Sequence, residues 1–168
     1  MKLETKQSST KSDHALAAAN IRRELKAAFP AIKFAIRSSS YTGGDSIDIR
    51  WHLGPTEKQV EAISNKYQEG SFNGMIDLYE YDNDRTWSKT YGGSKYIHTR
   101  REYDSAHAIV KEALRTKYNA PSEYDLDTSA WRILSKYPLP AGATITGIEH
   151  NDTTCGLIED IFRPTYTV

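Results

Sequence analysis

Residues 32–51 read IKFAIRSSSYTGGDSIDIRW, and their alternation decides the fold class. In the first half Ile32, Phe34 and Ile36 alternate with Lys33, Ala35 and Arg37. In the second half Ile47, Ile49 and Trp51 alternate with Asp48, Arg50 and His52. Successive side chains on a strand point to opposite faces, so each half predicts a strand with one apolar and one polar side. The stretch between them, Ser38 to Asp45, is dense in turn formers and predicts a long polar hairpin loop.

Working outward, Ala18, Ile21, Leu25 and Ala28 fall at helical spacing and predict a helix from about Asp13 to Ala28, closed by Pro30. After the hairpin, Leu53-Gly54-Pro55 ends the second strand, and Thr56 with Gln59 matches a capping box. The helix it opens carries Val60, Ile63 and Tyr67 inward and is expected to stop at Gly70. A strand is predicted over Met75–Tyr81, a polar loop over Asp82–Ser94 and another strand over Lys95–Arg100. A third helix begins near Asp104, burying Ala106, Ile109, Val110, Ala113 and Leu114. A short helix over Thr128–Tyr137 and strands over Thr144–Glu149 and Leu157–Phe162 complete the reading. These elements predict an α+β fold, with a small mostly antiparallel sheet (the hairpin plus further strands) packed against two or three helices.

A chain of 168 residues suits one good core. The single cysteine, Cys155, precludes an internal disulfide. The first residues lack an apolar signal-like core, and nowhere do 18 apolar residues run together, so a cytoplasmic protein with no membrane partner is expected. Net charge is zero but unevenly spread: eight Lys/Arg face three Asp/Glu over residues 1–40, and three face nine over 41–84. Eight against three follow over 85–118, and three against seven over 119–168. Overall neutrality excludes a wholesale DNA mimic and a dedicated DNA-coating protein.

Candidate sites are of three kinds. The hydroxyl- and glycine-rich segment Ser38–Ser46, flanked by Arg37 and Arg50, has the residue types of an anion nest but no Gly-Lys-Ser/Thr triplet, and ordinary turn chemistry also accounts for it. The segment Lys89–Arg101 interleaves basic residues with Tyr91, Tyr96 and His98, as single-stranded nucleic acid requires, although a solvated edge strand has the same composition. Asp77, Glu80, Asp82 and Asp84 cluster around one strand without the D-x-D-x-D-G spacing of a calcium loop. They read as a solvated strand end or a small dock for a basic partner. His150 and Cys155 have no recognisable oxyanion hole nearby, and the five histidines lack metal-ligand spacing. No catalytic residue, metal or cofactor is therefore expected.

The runs IRRELKAAFPAIKFAIRSSSYTGGDSIDIRW, GPTEKQVEAI and FNGMIDLYEY occur in that order. Over roughly residues 19–81 the chain resembles the large polyvalent protein-associated domain family, the twenty-ninth of that series. The resemblance implies a protein of phages, plasmids or other mobile elements with an accessory role against host defences; it carries over no catalytic residues. The organisation expected is a flexible lead-in over 1–12 and a single α+β domain over 13–168, with a family-like half at 13–82 and a C-terminal extension at 83–168.

The function expected is macromolecular binding by a mobile-element accessory protein, such as a counter-defence inhibitor whose partner is a host or phage protein. The surface candidates are Arg37, Tyr41, Asp45 and Arg50 around the hairpin, with Trp87, Tyr91, Tyr96, Arg100 and Arg101 beyond it. The rivals are a nucleic-acid-binding module and a small enzyme acting on a nucleotide or nucleic acid. The sequence leaves the oligomeric state open.

Overall fold

The computed structural model describes residues 2–52, 54–102, 107–108, 110–112, 114–115, 122–136 and 138. In chain order these form α1 (Asp13–Ala28), β1 (Phe34–Tyr41), β2 (Gly44–His52), α2 (Glu57–Ser64), β3 (Gly70–Asn73), β4 (Leu78–Tyr81), α3 (Thr86–Tyr91), β5 (Tyr96–Glu102) and α4 (Glu123–Lys136). Further helical residues lie within 107–115. The chain divides into two compact units, 1–102 and 103–168. The strands expected over 144–149 and 157–162 fall outside the described residues, as do His150 and Cys155.

The fold is α+β as expected. Three strands order β1-β2-β5, and β3 and β4 form a separate two-stranded sheet. β1 and β2 pair antiparallel, with Phe34 opposite Trp51 and Tyr41 opposite Gly44. β5 joins β2 in parallel, with Ser46 beside Tyr96 and His52 beside Glu102. The intervening α2, β3–β4 and α3 supply the long crossover that a parallel neighbour demands.

The hairpin loop is much shorter than expected. The ladder continues through Ser38–Tyr41 and Gly44–Ser46, leaving only Thr42 and Gly43 to turn. Gly43 takes φ 98°, which glycine adopts without a Cβ penalty. The Ser39 and Ser46 hydroxyls hydrogen-bond across the strands at 3.0 Å. The serines that suggested a loop, or an anion nest, instead extend the sheet.

Gly70 does not end a helix. α2 stops at Ser64 and passes through a 3-10 turn at Asn65–Tyr67, and Gly70 opens β3. A Cβ on Gly70 would lie 2.0 Å from the Glu80 carbonyl oxygen, so close strand approach selects glycine there. The strand expected over Met75–Tyr81 is the second arm of a hairpin that turns through 74–77, with Asp77 left-handed at φ 52°. The predicted loop Asp82–Ser94 contains α3. The last described helix starts at Glu123 instead of Thr128, because the Ser122 hydroxyl accepts from the Asp125 N–H and donates to its carboxylate.

The core of unit 1 lies between α1, α2 and one face of the three-stranded sheet. Ile21 and Leu25 of α1 pack with Ile36, Ile47, Ile49, Trp51, Val60 and Tyr67, all buried. The polar atoms of Trp51 and Tyr67 are satisfied: the Trp51 indole donates to the Pro55 carbonyl at 2.9 Å, and the Tyr67 hydroxyl donates to Glu24 at 2.6 Å. Burial and the Glu24 carboxylate both raise the Tyr67 pKa, so the phenol stays protonated. In unit 2, Val110, Leu114, Leu126, Ala130, Ile133 and Leu134 are buried, and Lys111 bridges Glu123 and Asp127 at 2.7 and 2.6 Å.

The residues read as a lead-in carry a 3-10 turn at Lys6–Ser8 and meet α1 through fully buried Asn20. The Glu4 N–H donates to Asn20 Oδ1 at 2.9 Å, and Asn20 Nδ2 donates to the Glu4 and Tyr91 carbonyls at 2.7 and 2.9 Å. The Glu4 carboxylate meets Lys11 at 2.8 Å and Arg23 at 3.1 Å.

Two predictions follow from this packing. Lys11 first, then Ser9 and Arg23, hold the Glu4 carboxyl down at about 2 from its ordinary 4.5. A depressed acid stabilises the fold above its unfolded pKa and loses that contribution as pH falls through the folded value. Glu4 side-chain NMR shifts are therefore expected to titrate near 2, with the 4–11 segment loosening as pH falls from about 4.5 toward 2. Separately, Gly92 combines φ 84° with a Cβ position 2.5 Å from the Asp13 carbonyl, whereas a Cβ on Gly74 meets nothing within 4 Å. In urea denaturation Gly92→Ala is expected to cost more than about 1 kcal/mol, and Gly74→Ala to stay within about 0.5 kcal/mol.

Candidate functional site

Because α1 and α2 cover one side of the sheet, strand alternation delivers the polar residues of three strands to the other side. Register then sets them in rows. Arg37, Asp48 and His98 form one row, Ala35, Arg50 and Arg100 a second, and Ser39, Ser46 and Tyr96 a third. Arg37, Arg50, His98 and Arg100 are exposed. Arg50 stands directly beside Arg100, and among the described residues Arg37, Arg50 and Arg100 make no hydrogen bond or ion pair. Like charges in register on neighbouring strands cost stability unless something outside the sheet neutralises them.

Aromatic rings border this cationic face. Tyr96 stacks on His98, with centroids 6.2 Å apart and planes 7° from parallel. Tyr96 also meets Tyr79 edge-on at 5.3 Å, and Tyr79 meets Tyr81 at 5.0 Å. The Lys95 ammonium sits 4.9 Å from the Tyr79 ring, and the Tyr79 hydroxyl donates to the Lys95 carbonyl. Burial pushes the Tyr79 phenol well above its ordinary pKa, with Glu69 adding to the effect. Tyr41, about half exposed, closes β1 beside the turn.

The candidates named from sequence therefore separate into two groups. Arg37, Tyr41, Arg50, Tyr96 and Arg100 share strands of the open sheet. Asp45, Trp87, Tyr91 and Arg101 are held within the fold. Asp45 Oδ1 accepts from the Lys95 N–H at 2.7 Å and the Ser94 hydroxyl at 2.9 Å, fixing the start of β5. Trp87 and Tyr91 pack against the core, their rings 4.6 Å apart, and Trp87 meets Tyr67 edge-on at 5.9 Å. Arg101 is buried and donates to the Gly54 carbonyl at 2.8 Å.

Sequence reasoning missed how the outer edge of β5 is closed. Glu57 accepts from the Arg101 N–H at 3.1 Å, Glu61 from the Thr99 hydroxyl at 3.1 Å, and Gln68 from the Ile97 N–H at 3.2 Å. Glu57 and Glu61 are four apart on α2, so one helix face reaches the strand twice. That spacing was the visible signal. In the acidic group, Asp84 accepts from the Thr86 hydroxyl at 2.6 Å and N–H at 3.0 Å, which lowers its pKa. Among the described residues no three His, Cys, Asp or Glu side chains converge on a metal-sized space. No described helix is long and apolar enough to cross a membrane.

Residues 12–105 match the family large polyvalent protein associated domain 29. The match spans more than half of the chain, which therefore belongs to this family; the polyvalent-protein setting suggests a mobile-element-associated protein. Comparison with curated proteins and with solved structures gave no match.

The two groups of side chains predict unequal stability effects. Asp45→Ala strands the Lys95 N–H, while the Ser94 hydroxyl keeps the Tyr96 carbonyl as acceptor, an expected cost of about 1–3 kcal/mol. Arg37→Ala, Arg50→Ala and Arg100→Ala are each expected within about 0.5 kcal/mol of wild type in the same urea titration.

Proposed function

We propose that this chain is a phage- or plasmid-encoded accessory protein that acts by binding a macromolecule through the open face of its three-stranded sheet. In a mobile element, such a face serves counter-defence: it covers an acidic surface of a host protein and blocks it. The observation that carries this reading is the in-register pair Arg50 and Arg100, exposed and without an ion pair among the described residues, with Arg37 on the same face. Arginine is weakly hydrated, and its planar fork grips carboxylates and phosphates at two points, so an arginine cluster suits an anionic partner. Tyr41 and Tyr96 add ring surface of the kind that anchors interfaces.

A second reading, single-stranded nucleic acid, is favoured by the parallel Tyr96–His98 stack on this face. Bases stack on such platforms while cations track the phosphates. Its signature is affinity that falls steeply with salt.

The test is capture of partners from host lysate on immobilised protein, with and without nuclease, using wild type and Arg50→Ala/Arg100→Ala. A bound protein that survives nuclease and is reduced at least about tenfold by the double substitution is the expected result. Capture abolished by nuclease moves the assignment to nucleic acid. Equal capture by both forms removes the sheet face from the function.

A further inference from the structure

The β3–β4 hairpin is unusual in composition. Met75 is 96% exposed, and Phe72, Ile76, Leu78 and Tyr81 are each more than half exposed. A two-stranded sheet has little core of its own; register puts Phe72 and Tyr81 on one face and Leu78 on the other, with Met75 and Ile76 at the turn, and exposed apolar side chains of this size mark an interaction surface. The charge carried by the segment itself has one sign. Between Lys66 and Arg85 there is no Lys or Arg, while Glu69, Asp77, Glu80, Asp82 and Asp84 all fall there.

A polar cleft of ≈ 410 Å³ opens at the root of the hairpin. Its walls include Glu61, Asn65, Gln68, Ser71, Asp82 and Thr99, and among the described residues no basic side chain lines it. The volume lies within the range of about 300–1,000 Å³ typical of ligand pockets. The hairpin rings already accept cations from their own chain: the Arg85 guanidinium sits 4.8 Å from the Tyr81 ring, and the Lys95 ammonium 4.9 Å from Tyr79.

We infer that the hairpin and the cleft at its root form a docking site for a basic segment of a partner protein, one that interleaves Lys or Arg with apolar residues. The apolar side chains of that segment cover Met75, Ile76 and Leu78, and one of its cations enters the cleft between Glu61 and Asp82. The acidic surround selects this occupant. It repels an anionic lipid surface, and a second hairpin of the same chain brings the same sign of charge. Tyr79 and Tyr81 border both surfaces, but the site is opposite in sign to the arginine face and needs none of its arginines, so it stands or falls independently of the function proposed above.

The experiment selects a random-sequence peptide library on the full chain, then measures the recovered peptides by fluorescence anisotropy. Wild type is compared with Met75→Ser/Ile76→Ser, Glu61→Gln/Asp82→Asn and Arg50→Ala/Arg100→Ala. The expected peptides are rich in Lys or Arg interleaved with apolar residues. They weaken at least about tenfold on either of the first two variants and are unchanged on the third. Peptides of acidic or uncharged composition overturn the inference, as does affinity that ignores both hairpin and cleft substitutions. Self-association of wild type that Met75→Ser/Ile76→Ser abolishes, or vesicle binding with the same dependence, assigns the surface to another occupant. Should a variant fail to fold, hydrogen exchange on wild type reads the same surface. Peptide-induced protection confined to 61–84 supports the site, and protection elsewhere rejects it.

Discussion

Burial of one side of β1 and β2 against α1 is the constraint from which the remaining architecture follows. Ile36, Ile47, Ile49 and Trp51 leave water together with Ile21 and Leu25. Burying a side chain of this size stabilises by roughly 1.5–3 kcal/mol, and a one-residue register slip would turn the whole set outward. Once those residues face α1, Arg37, Arg50 and Arg100 have only the opposite side available. The cationic face is thus the geometric remainder of core formation.

The sheet treats its two sides and its edges differently. On the outer edge of β5 Glu57 and Gln68 occupy backbone N–H groups that a further strand would otherwise pair, and Glu61 holds the Thr99 hydroxyl beside them. On the open face Arg37 stands opposite Asp48, but Arg50 and Arg100 stand in register without an ion pair among the described residues. A fold optimised only for stability would alternate signs there. The β3–β4 hairpin departs in the opposite chemical direction, presenting apolar side chains among acids. One compact unit therefore displays a cationic surface and, on a separate hairpin, exposed apolar side chains among acids.

Several side chains that looked available for binding are instead what holds these surfaces in place. Asp45 ties the start of β5 to the hairpin, and Arg101 reaches the Gly54 carbonyl. Trp87 and Tyr91 press α3 against the core beside Gly92, whose missing Cβ lets the chain approach the first turns of α1. Residue type alone does not distinguish an aromatic anchor for a partner from one that seals the interior. Burial does, and burial is a property of the folded chain.

Local physics made much of the fold legible in the sequence. The α1 stripe, the Thr56–Gln59 cap and the alternation around Ile36 and Ile49 each act within a few residues and appear where the pattern places them. Family membership was likewise readable from runs over 19–81, although the match extends to 12–105. What required the tertiary structure was every feature that joins distant segments. The parallel pairing that sets Arg50 beside Arg100, the close approach that reserves Gly70 for a strand, and the ladder that drew Ser38–Tyr41 out of a loop depend on contacts across the chain. Periodicity reports which side of an element is apolar; only packing decides what that side meets and what is left facing water.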